Sequence, residues 1–203
     1  MNGHNLRLSV RLSKESQDDF VREVTKTIAQ LRNFPSIVVW TVFNEGWGEF
    51  VDATITKRIW KMDPSRLVDE ASGWVDQGSG DIISSHNYFL PLKVKPDVDR
   101  CVALSEFGGY SWHMPDHCWA KGEFGYRKYH SRDELTAAIE ALWQRDLLPN
   151  VGNGLSAIAY TELCDVEDET NGLFTYDRDV LKVDGDTIRR INQELLEAFK
   201  TAV

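Results

Sequence analysis

The apolar and polar positions of the chain are organised around an uninterrupted apolar, β-branched run at residues 37–43, which follows Pro35. A run of this length predicts a strand buried on both faces, as in a parallel sheet covered by helices. It delivers Asn44 and Glu45 to its carboxyl end, and a second run at residues 101–106 ends in Glu106. Chemistry in parallel α/β folds lies at the carboxyl ends of strands, so the two glutamates are the leading candidates for a functional site.

The rest of the pattern predicts four helices and three more strands. Apolar residues at helical spacing predict helices from the Ser13 cap to about residue 33, up to about residue 62, from Ser131 to about residue 148, and over residues 187–200. Short apolar runs predict strands at residues 67–71, 81–85 and 155–160, and residues 6–10 alternate weakly like a strand. Residues 107–130 are expected to form a long structureless loop, often the wall of a functional site.

The alternation of strands and helices predicts an α/β fold, either a (β/α)8 TIM barrel or a doubly wound sheet. No glycine-rich phosphate loop follows a predicted strand, which favours the barrel. A closed barrel needs eight strands and about 250 residues. The pattern supplies only five strands, so we expect a partial barrel, taken as one domain over residues 1–203.

Composition narrows the classes of function. The net charge of −9 argues against a nucleic-acid partner. No apolar run is long enough to span a membrane, and the first ten residues do not resemble a signal peptide. Three cysteines without paired spacing predict reduced thiols in a cytoplasmic protein. No metal-ligand spacing is evident, and we expect neither a metal nor another cofactor.

Several motifs, in order along the chain, resemble glycoside hydrolase family 2, the β-galactosidase and β-glucuronidase family. Residues 32–40 read Arg-Asn-Phe-Pro-Ser-Ile-Val-Val-Trp and lead to Asn44-Glu45, as in the family's fourth barrel strand, except that Phe34 stands where His is usual. Residues 81–88 resemble the sixth strand, and Ser105-Glu106-Phe107-Gly108-Gly109 resembles the nucleophile strand. Residues 165–173 are typical of one bacterial branch of the family after its eighth strand.

The resemblance implies the second half of a catalytic barrel, strands four to eight. The family's first three barrel strands and the sandwich domains before them have no counterpart in this sequence, so the chain looks like a fragment. The carbohydrate substrate would be a terminal β-linked sugar. Which sugar it is depends on many contacts, and the resemblance leaves that open.

By the resemblance, Glu106 is the nucleophile of a retaining glycosidase and Glu45 is its acid/base. Such an enzyme needs two carboxyl groups about 5–5.5 Å apart, and strands four and seven of a barrel lie on opposite sides of its mouth. The charge of Glu106 would hold a proton on Glu45, and its loss on esterification would let Glu45 accept a proton from water. The alternative is that both glutamates are helix caps or ion-pair partners.

Six further residues are candidates for binding substrate. Asn44 would donate to the sugar 2-hydroxyl, or is simply a turn residue. Tyr88 would hydrogen-bond the nucleophile and His86 a sugar hydroxyl; a structural hydrogen bond is the alternative for each. Trp47, Trp112 and Tyr160 are candidates for stacking on a sugar ring. The tryptophans within predicted elements are assigned to the core, and the acidic run at 165–169 is expected to be a solvated loop rather than a cation site.

Two rival hypotheses remain open. One is a glycosidase of another family in the same clan, which would be expected to lack the pattern that begins at Asp165. The other is a non-catalytic remnant that binds sugar or assembles with a missing half. Unpaired barrel edges also predict self-association into a homo-oligomer.

Overall fold

The computed structural model describes residues 13–46, 48–50, 54–119 and 121–202. The chain divides into two compact units, each described by itself. The first contains Met1–His86 and Val98–Ala103, and the second contains Asn87–Asp97 and Leu104–Val203.

The first unit places a parallel strand pair beside two helices. Its elements are α1 (Lys14–Leu31), β1 (Val39–Asn44), α2 (Ile55–Met62), β2 (Leu67–Ser72) and β3 (Ile82–Asn87). The Ser13 side chain caps α1 by accepting from the backbone N–H of Ser16, which confirms the predicted start of this helix. β1 and β2 are parallel, with Asn44 opposite Ser72 at their carboxyl ends.

The core of the first unit forms where β1 and β2 meet the two helices. Its buried residues are Ile28, Phe43, Ile55, Ile59, Val68 and Ala71. The expectation that β1 is buried on both faces is wrong, because Phe43 is its only buried residue and Thr41 is exposed. The physical reason is that β1 pairs only with β2 among the described residues, so one edge of the strand has no neighbour.

The second unit packs its helices and strands around a larger core. The strand β4 (Cys101–Gly108) contributes its residues from Leu104 onward to this unit. The other elements are β5 (Tyr110–Ser111), β6 (Arg127–Lys128), α3 (Arg132–Leu142), α4 (Leu148–Val151), β7 (Leu155–Thr161) and α5 (Gly185–Thr201). One π-helical turn, Trp143–Leu147, joins α3 to α4. Leu104, Phe107, Leu135, Ile139, Trp143 and Ile191 are among the core residues, as expected for Trp143.

The expectation that residues 107–130 form a structureless loop is wrong. It contains β5 and β6, which pair in parallel with Tyr110 opposite Arg127, and a short 3₁₀ turn at Pro115–His117. Paired strands of two residues carry no periodicity that a sequence pattern could reveal.

The fold is mixed α/β with parallel strands, as predicted. In the first unit β4 begins beside β3, where the Cys101 N–H donates to the Asp81 carbonyl at 3.0 Å. In the second unit the rest of β4 neighbours β7. The strands of the described residues form no closed barrel. None of the helices described is both long and apolar enough to cross a membrane.

Candidate active site

Glu45 directly follows the carboxyl end of β1 and adopts an unusual backbone conformation. Its φ is 55°, in the left-handed region that non-glycine residues rarely adopt. Its N–H donates to the Ser72 carbonyl at 2.8 Å and so ties the turn to the end of β2. Its side chain is mostly buried, with 18% exposed. The turn therefore holds one carboxylate at the strand ends, where the sequence predicted it.

The Glu45 carboxylate is bonded to a histidine whose other nitrogen is also engaged. His86 Nδ1 lies 2.8 Å from Glu45 Oε1, and its Nε2 lies 2.9 Å from Ser72 Oγ. The imidazole is fully buried. Both ring nitrogens are thus engaged within the protein, and a contact with a sugar hydroxyl, as the sequence suggested for His86, would cost one of these bonds.

The two bonds can form with Glu45 in either protonation state. If Glu45 is ionised, Nδ1–H donates to it and the Ser72 hydroxyl donates to Nε2. If Glu45 is protonated, its O–H donates to Nδ1 and Nε2–H donates to Ser72 Oγ. The arrangement suits a carboxyl group that must release and regain a proton.

Gly73 makes room for this arrangement. Its φ is 111°, and a Cβ atom there would lie 3.0 Å from His86 Nδ1 and 3.3 Å from Glu45 Cγ. Sequence reasoning missed both Ser72 and Gly73. The available signal was the turn-rich composition after β2, which says nothing about what the turn contacts.

In the second unit, Glu106 is held by a tyrosine. The Tyr88 hydroxyl donates to Glu106 Oε2 at 2.7 Å and lies 3.3 Å from Thr161 Oγ1 at the end of β7. Burial, and to a smaller extent the bond to Glu106, raises the pKa of Tyr88 above its usual range. Tyr88 therefore stays protonated and serves Glu106 as a donor.

An exposed aromatic cluster surrounds Tyr88, and the sequence did not reveal it. Tyr126 stacks on Tyr88 with ring centroids 4.0 Å apart, and Phe89 meets Tyr126 edge-on at 4.9 Å. Phe89 is 66% exposed. Gly109 allows the close approach, since a Cβ there would lie 2.4 Å from the Tyr126 ring. Exposed rings beside the partly buried Glu106 carboxylate form a surface on which a sugar or an aryl group can stack.

The remaining predicted binding residues differ in their placement. Asn44 is exposed and ends β1. Trp47 lies outside the described residues. Trp112 is partly buried against the core of the second unit. The Tyr160 ring packs against Phe107 and Trp143, with centroids 5.5 and 5.7 Å away, which favours a packing role. Stacking on sugar remains a prediction for all three aromatic residues.

A third carboxylate, Glu162, directly follows β7, and no sequence motif singles it out. Burial, then the charges of Glu169 and Asp165, raise the pKa of Glu162 to about 7. The acidic tail beyond it was expected to be solvated, and Glu167 and Asp168 are indeed exposed. Asp165, however, is buried and binds the fully buried Lys182, with Oδ1 and Nζ 2.7 Å apart.

One described cluster within the second unit has the spacing of metal ligands. His117, Asp177 and Asp179 each bring a ligand atom within 4.8 Å of the others. His117 and Asp177 form an ion pair at 2.7 Å. Hydrogen bonds from Thr175 and then His117 lower the pKa of Asp177 to about 2. The ion pair accounts for the proximity, and we assign no metal to it.

Comparison with known proteins gives a match to one family model. Residues 4–102 match the sequence model described as glycosyl hydrolases family 2, TIM barrel domain. The match covers just under half of the chain, and it includes Glu45, His86 and Tyr88 and ends before Glu106. No curated protein matches the chain significantly.

Proposed function

We propose that the chain is a retaining β-glycosidase, because residues 4–102 match the sequence model of the TIM-barrel domain of glycosyl hydrolases family 2. In this proposal β1, β2, β3, β4 and β7 are strands four to eight of a catalytic barrel. Glu106 is the nucleophile and Glu45 is the acid/base. The substrate is a terminal β-linked sugar of the β-galactoside type.

The observation that carries the proposal is the hydrogen bond from Tyr88 to Glu106. A nucleophilic carboxylate must be aimed at the anomeric carbon, and a hydroxyl donor at 2.7 Å holds one of its oxygens in place. The same bond was expected for this pair from the family resemblance. A glutamate with a merely structural role would more often face a cation or a helix end.

The proposed reaction has two displacements. Glu106 attacks the anomeric carbon and forms a C–O bond while the glycosidic C–O bond breaks, and Glu45 gives its proton to the leaving oxygen. Water then attacks the same carbon, Glu45 takes the proton of the water, and the ester bond breaks to restore the Glu106 carboxylate. Asn44 would donate to the sugar 2-hydroxyl.

The test is covalent trapping. The chain is incubated with a panel of 2-deoxy-2-fluoro β-glycosyl fluorides, and its intact mass is measured. We expect a mass gain that maps to Glu106, is lost in Glu106→Gln and is retained in Glu197→Gln, a control on the exposed face of α5. The reagent that labels identifies the sugar.

A non-catalytic sugar-binding protein is the second candidate. The exposed rings of Phe89 and Tyr126 favour it, because stacking on a sugar needs no catalysis. Sugar binding by a chain that no reagent labels would support this candidate and overturn the glycosidase.

A further inference from the structure

A third ring extends the exposed aromatic cluster beside Tyr88. Phe124 meets Tyr126 at a centroid distance of 6.0 Å, and Phe89 meets the same ring at 4.9 Å. Phe89 is 66% exposed, Phe124 is 49% exposed and Tyr126 is 36% exposed. Exposed apolar side chains that lie together indicate a binding surface, whereas those scattered singly do not.

The aromatic cluster contacts the side chain that holds the proposed nucleophile. The Tyr126 ring stacks on the Tyr88 ring with centroids 4.0 Å apart, and the Tyr88 hydroxyl donates to Glu106 Oε2 at 2.7 Å. All of these residues belong to the second unit. A single tyrosine side chain therefore separates the cluster from the carboxylate that attacks the sugar in the proposed reaction.

Backbone hydrogen bonds hold the segment that carries two of the rings. The Tyr126 N–H donates to the Gly109 carbonyl at 2.9 Å, and the Phe124 N–H donates to the Asp168 carbonyl at 3.2 Å. The Phe124 carbonyl in turn accepts from the Thr170 N–H at 3.0 Å. The segment is thus bonded to two other parts of the second unit.

A turn fixes the backbone at Phe89. The Asn87 side-chain amide donates to the Leu90 carbonyl at 2.8 Å, and its oxygen accepts from the Leu90 N–H at 3.2 Å. Rings on a backbone that is fixed before a ligand arrives lose little freedom on binding, so more of the contact energy appears as affinity.

The angle between the exposed rings favours a flat aromatic ligand. The planes of Phe89 and Tyr126 are 88° apart, so the two rings form a corner. A flat aromatic group in this corner lies parallel to one ring and edge-on to the other, and both arrangements are favourable for aromatic pairs. A pyranose ring packs a C–H face on one ring only, because its hydroxyl-bearing edge then meets the other.

We propose that Phe89 and Tyr126 form a subsite for the aglycone that favours a flat aromatic group, so that aryl β-glycosides are the preferred substrates. The inference rests on the proposed function, since it assigns a class of aglycone to the same site. The reacting sugar of a terminal glycoside is the end of the substrate. Only the aglycone continues from the site towards solvent, where the rings are exposed.

The first test measures binding by calorimetry. Phenyl, cyclohexyl and methyl 1-thio-β-D-galactopyranoside share one sugar, and their sulfur linkage resists hydrolysis. We expect the phenyl compound to bind about tenfold more tightly than the methyl compound, with the cyclohexyl compound closer to the methyl one. Equal affinity of the three compounds, or no binding of any, overturns the proposal.

Variants of Phe89 assign the preference to its ring. Phe89→Leu keeps an apolar side chain but removes the ring, and should reduce the phenyl preference to about twofold, whereas Phe89→Tyr keeps the ring and should retain the preference. Trp119→Ala is the matched control, because Trp119 is also 66% exposed and its ring contacts Tyr176. Thermal melts check that each variant folds. A preference that persists in Phe89→Leu, or that is lost in Trp119→Ala, contradicts the proposal.

Covalent labelling distinguishes the aglycone from the glycone. 2-Deoxy-2-fluoro-β-D-galactosyl fluoride and 2,4-dinitrophenyl 2-deoxy-2-fluoro-β-D-galactoside form the same ester with Glu106 and release fluoride or dinitrophenolate. Only the second reagent carries an aryl aglycone. Phe89→Leu should therefore slow labelling by the dinitrophenyl reagent about fivefold and leave labelling by the fluoride unchanged. An equal loss with both reagents would place Phe89 against the glycone and overturn the proposal.

The same experiments separate this inference from the proposed glycosidase. If both reagents label Glu106 at rates that Phe89→Leu does not change, only the aglycone subsite is wrong. If the phenyl preference depends on Phe89 but no reagent labels Glu106, the aromatic subsite stands and the glycosidase is wrong.

Discussion

His86 Nδ1 lies 2.8 Å from Glu45 Oε1, and the imidazole that makes this bond is fully buried. A buried ring held at both nitrogens can fix the direction of the carboxyl group without touching the substrate. This relationship makes His86 a positioning residue for Glu45 in the proposed reaction.

We predict that His86→Ala lowers turnover of glycosides with poor leaving groups about a hundredfold, since a misplaced acid loses effective protonation. Substrates with a dinitrophenyl leaving group need little protonation and should be nearly unaffected in the glycosylation step. Ser72→Ala, which removes the partner of Nε2, should show the same pattern to a smaller degree. Equal losses on both kinds of substrate would point to a folding defect and count against the positioning role.

Gly73 allows a prediction with a matched control. Gly73→Ala and Gly78→Ala both place a side chain at positive φ, 111° and 84°, and each should cost about 1 kcal/mol of stability. The new Cβ at position 73 meets His86 and Glu45, whereas the one at position 78 meets nothing within 4 Å. Activity should therefore fall much further in Gly73→Ala. Thermal melts and rates measured together check this, and parallel losses in the two variants would refute it.

We predict that Tyr88 contributes to catalysis by holding the proposed nucleophile, Glu106, in position. Tyr88→Phe removes the 2.7 Å bond to Glu106 and should lower kcat about tenfold to a hundredfold, with a small change in KM. Tyr176→Phe, a partly exposed tyrosine away from this bond, serves as the control. Slower labelling of Glu106 by the fluoro sugar is the direct readout. Unchanged labelling would show that the bond is structural only.

Local pattern was enough to predict the strand ends that carry Asn44, Glu45 and Glu106. The family resemblance added the bond between Tyr88 and Glu106, which the structure contains. The burial of β1 was mispredicted because an apolar run reports what a strand prefers to contact, while its neighbours determine what is covered. Only Phe43 of β1 is buried.

Contacts between residues that are distant in the sequence could not be predicted from it. Ser72, the last residue of β2, bonds to His86 in β3, and Lys182 bonds to Asp165 from beyond the acidic loop. A serine at the end of a strand and a lysine near a helix carry no pattern that indicates such partners. The exposed rings of Phe89 and Tyr126 were likewise hidden, because they come together only when β4 and its following loop fold.

Lys182 is predicted to determine the stability of the second unit. Burial lowers the pKa of Lys182 and raises the pKa of Asp165, so each charge depends on the other. Lys182→Met leaves Asp165 unpaired and should cost about 3–5 kcal/mol in urea unfolding. Lys182→Met combined with Asp165→Asn should cost less than the single change.

The stability lost in Lys182→Met should depend on pH, and the direction follows from the pKa of Asp165. Without Lys182 the pKa of Asp165 rises further, so the folded state binds a proton more tightly than the unfolded state. The deficit of Lys182→Met should therefore shrink as pH falls from 7 to 5. A deficit that is independent of pH would show that lost packing, and not the unpaired charge, causes it.

Self-association is the last prediction, and it follows from the strand edges. β1 pairs with β2 alone among the described residues, and Val38, just before it, is 66% exposed. β7 ends its sheet and exposes Ala157 and Ala159 beside an apolar groove against α5. Unpaired edges recruit further strands, so we expect dimers or larger species in sedimentation velocity. Val38→Lys and Ala157→Lys should each shift the distribution towards monomer, whereas a single sharp monomer species of the unaltered chain at micromolar concentration would contradict the prediction.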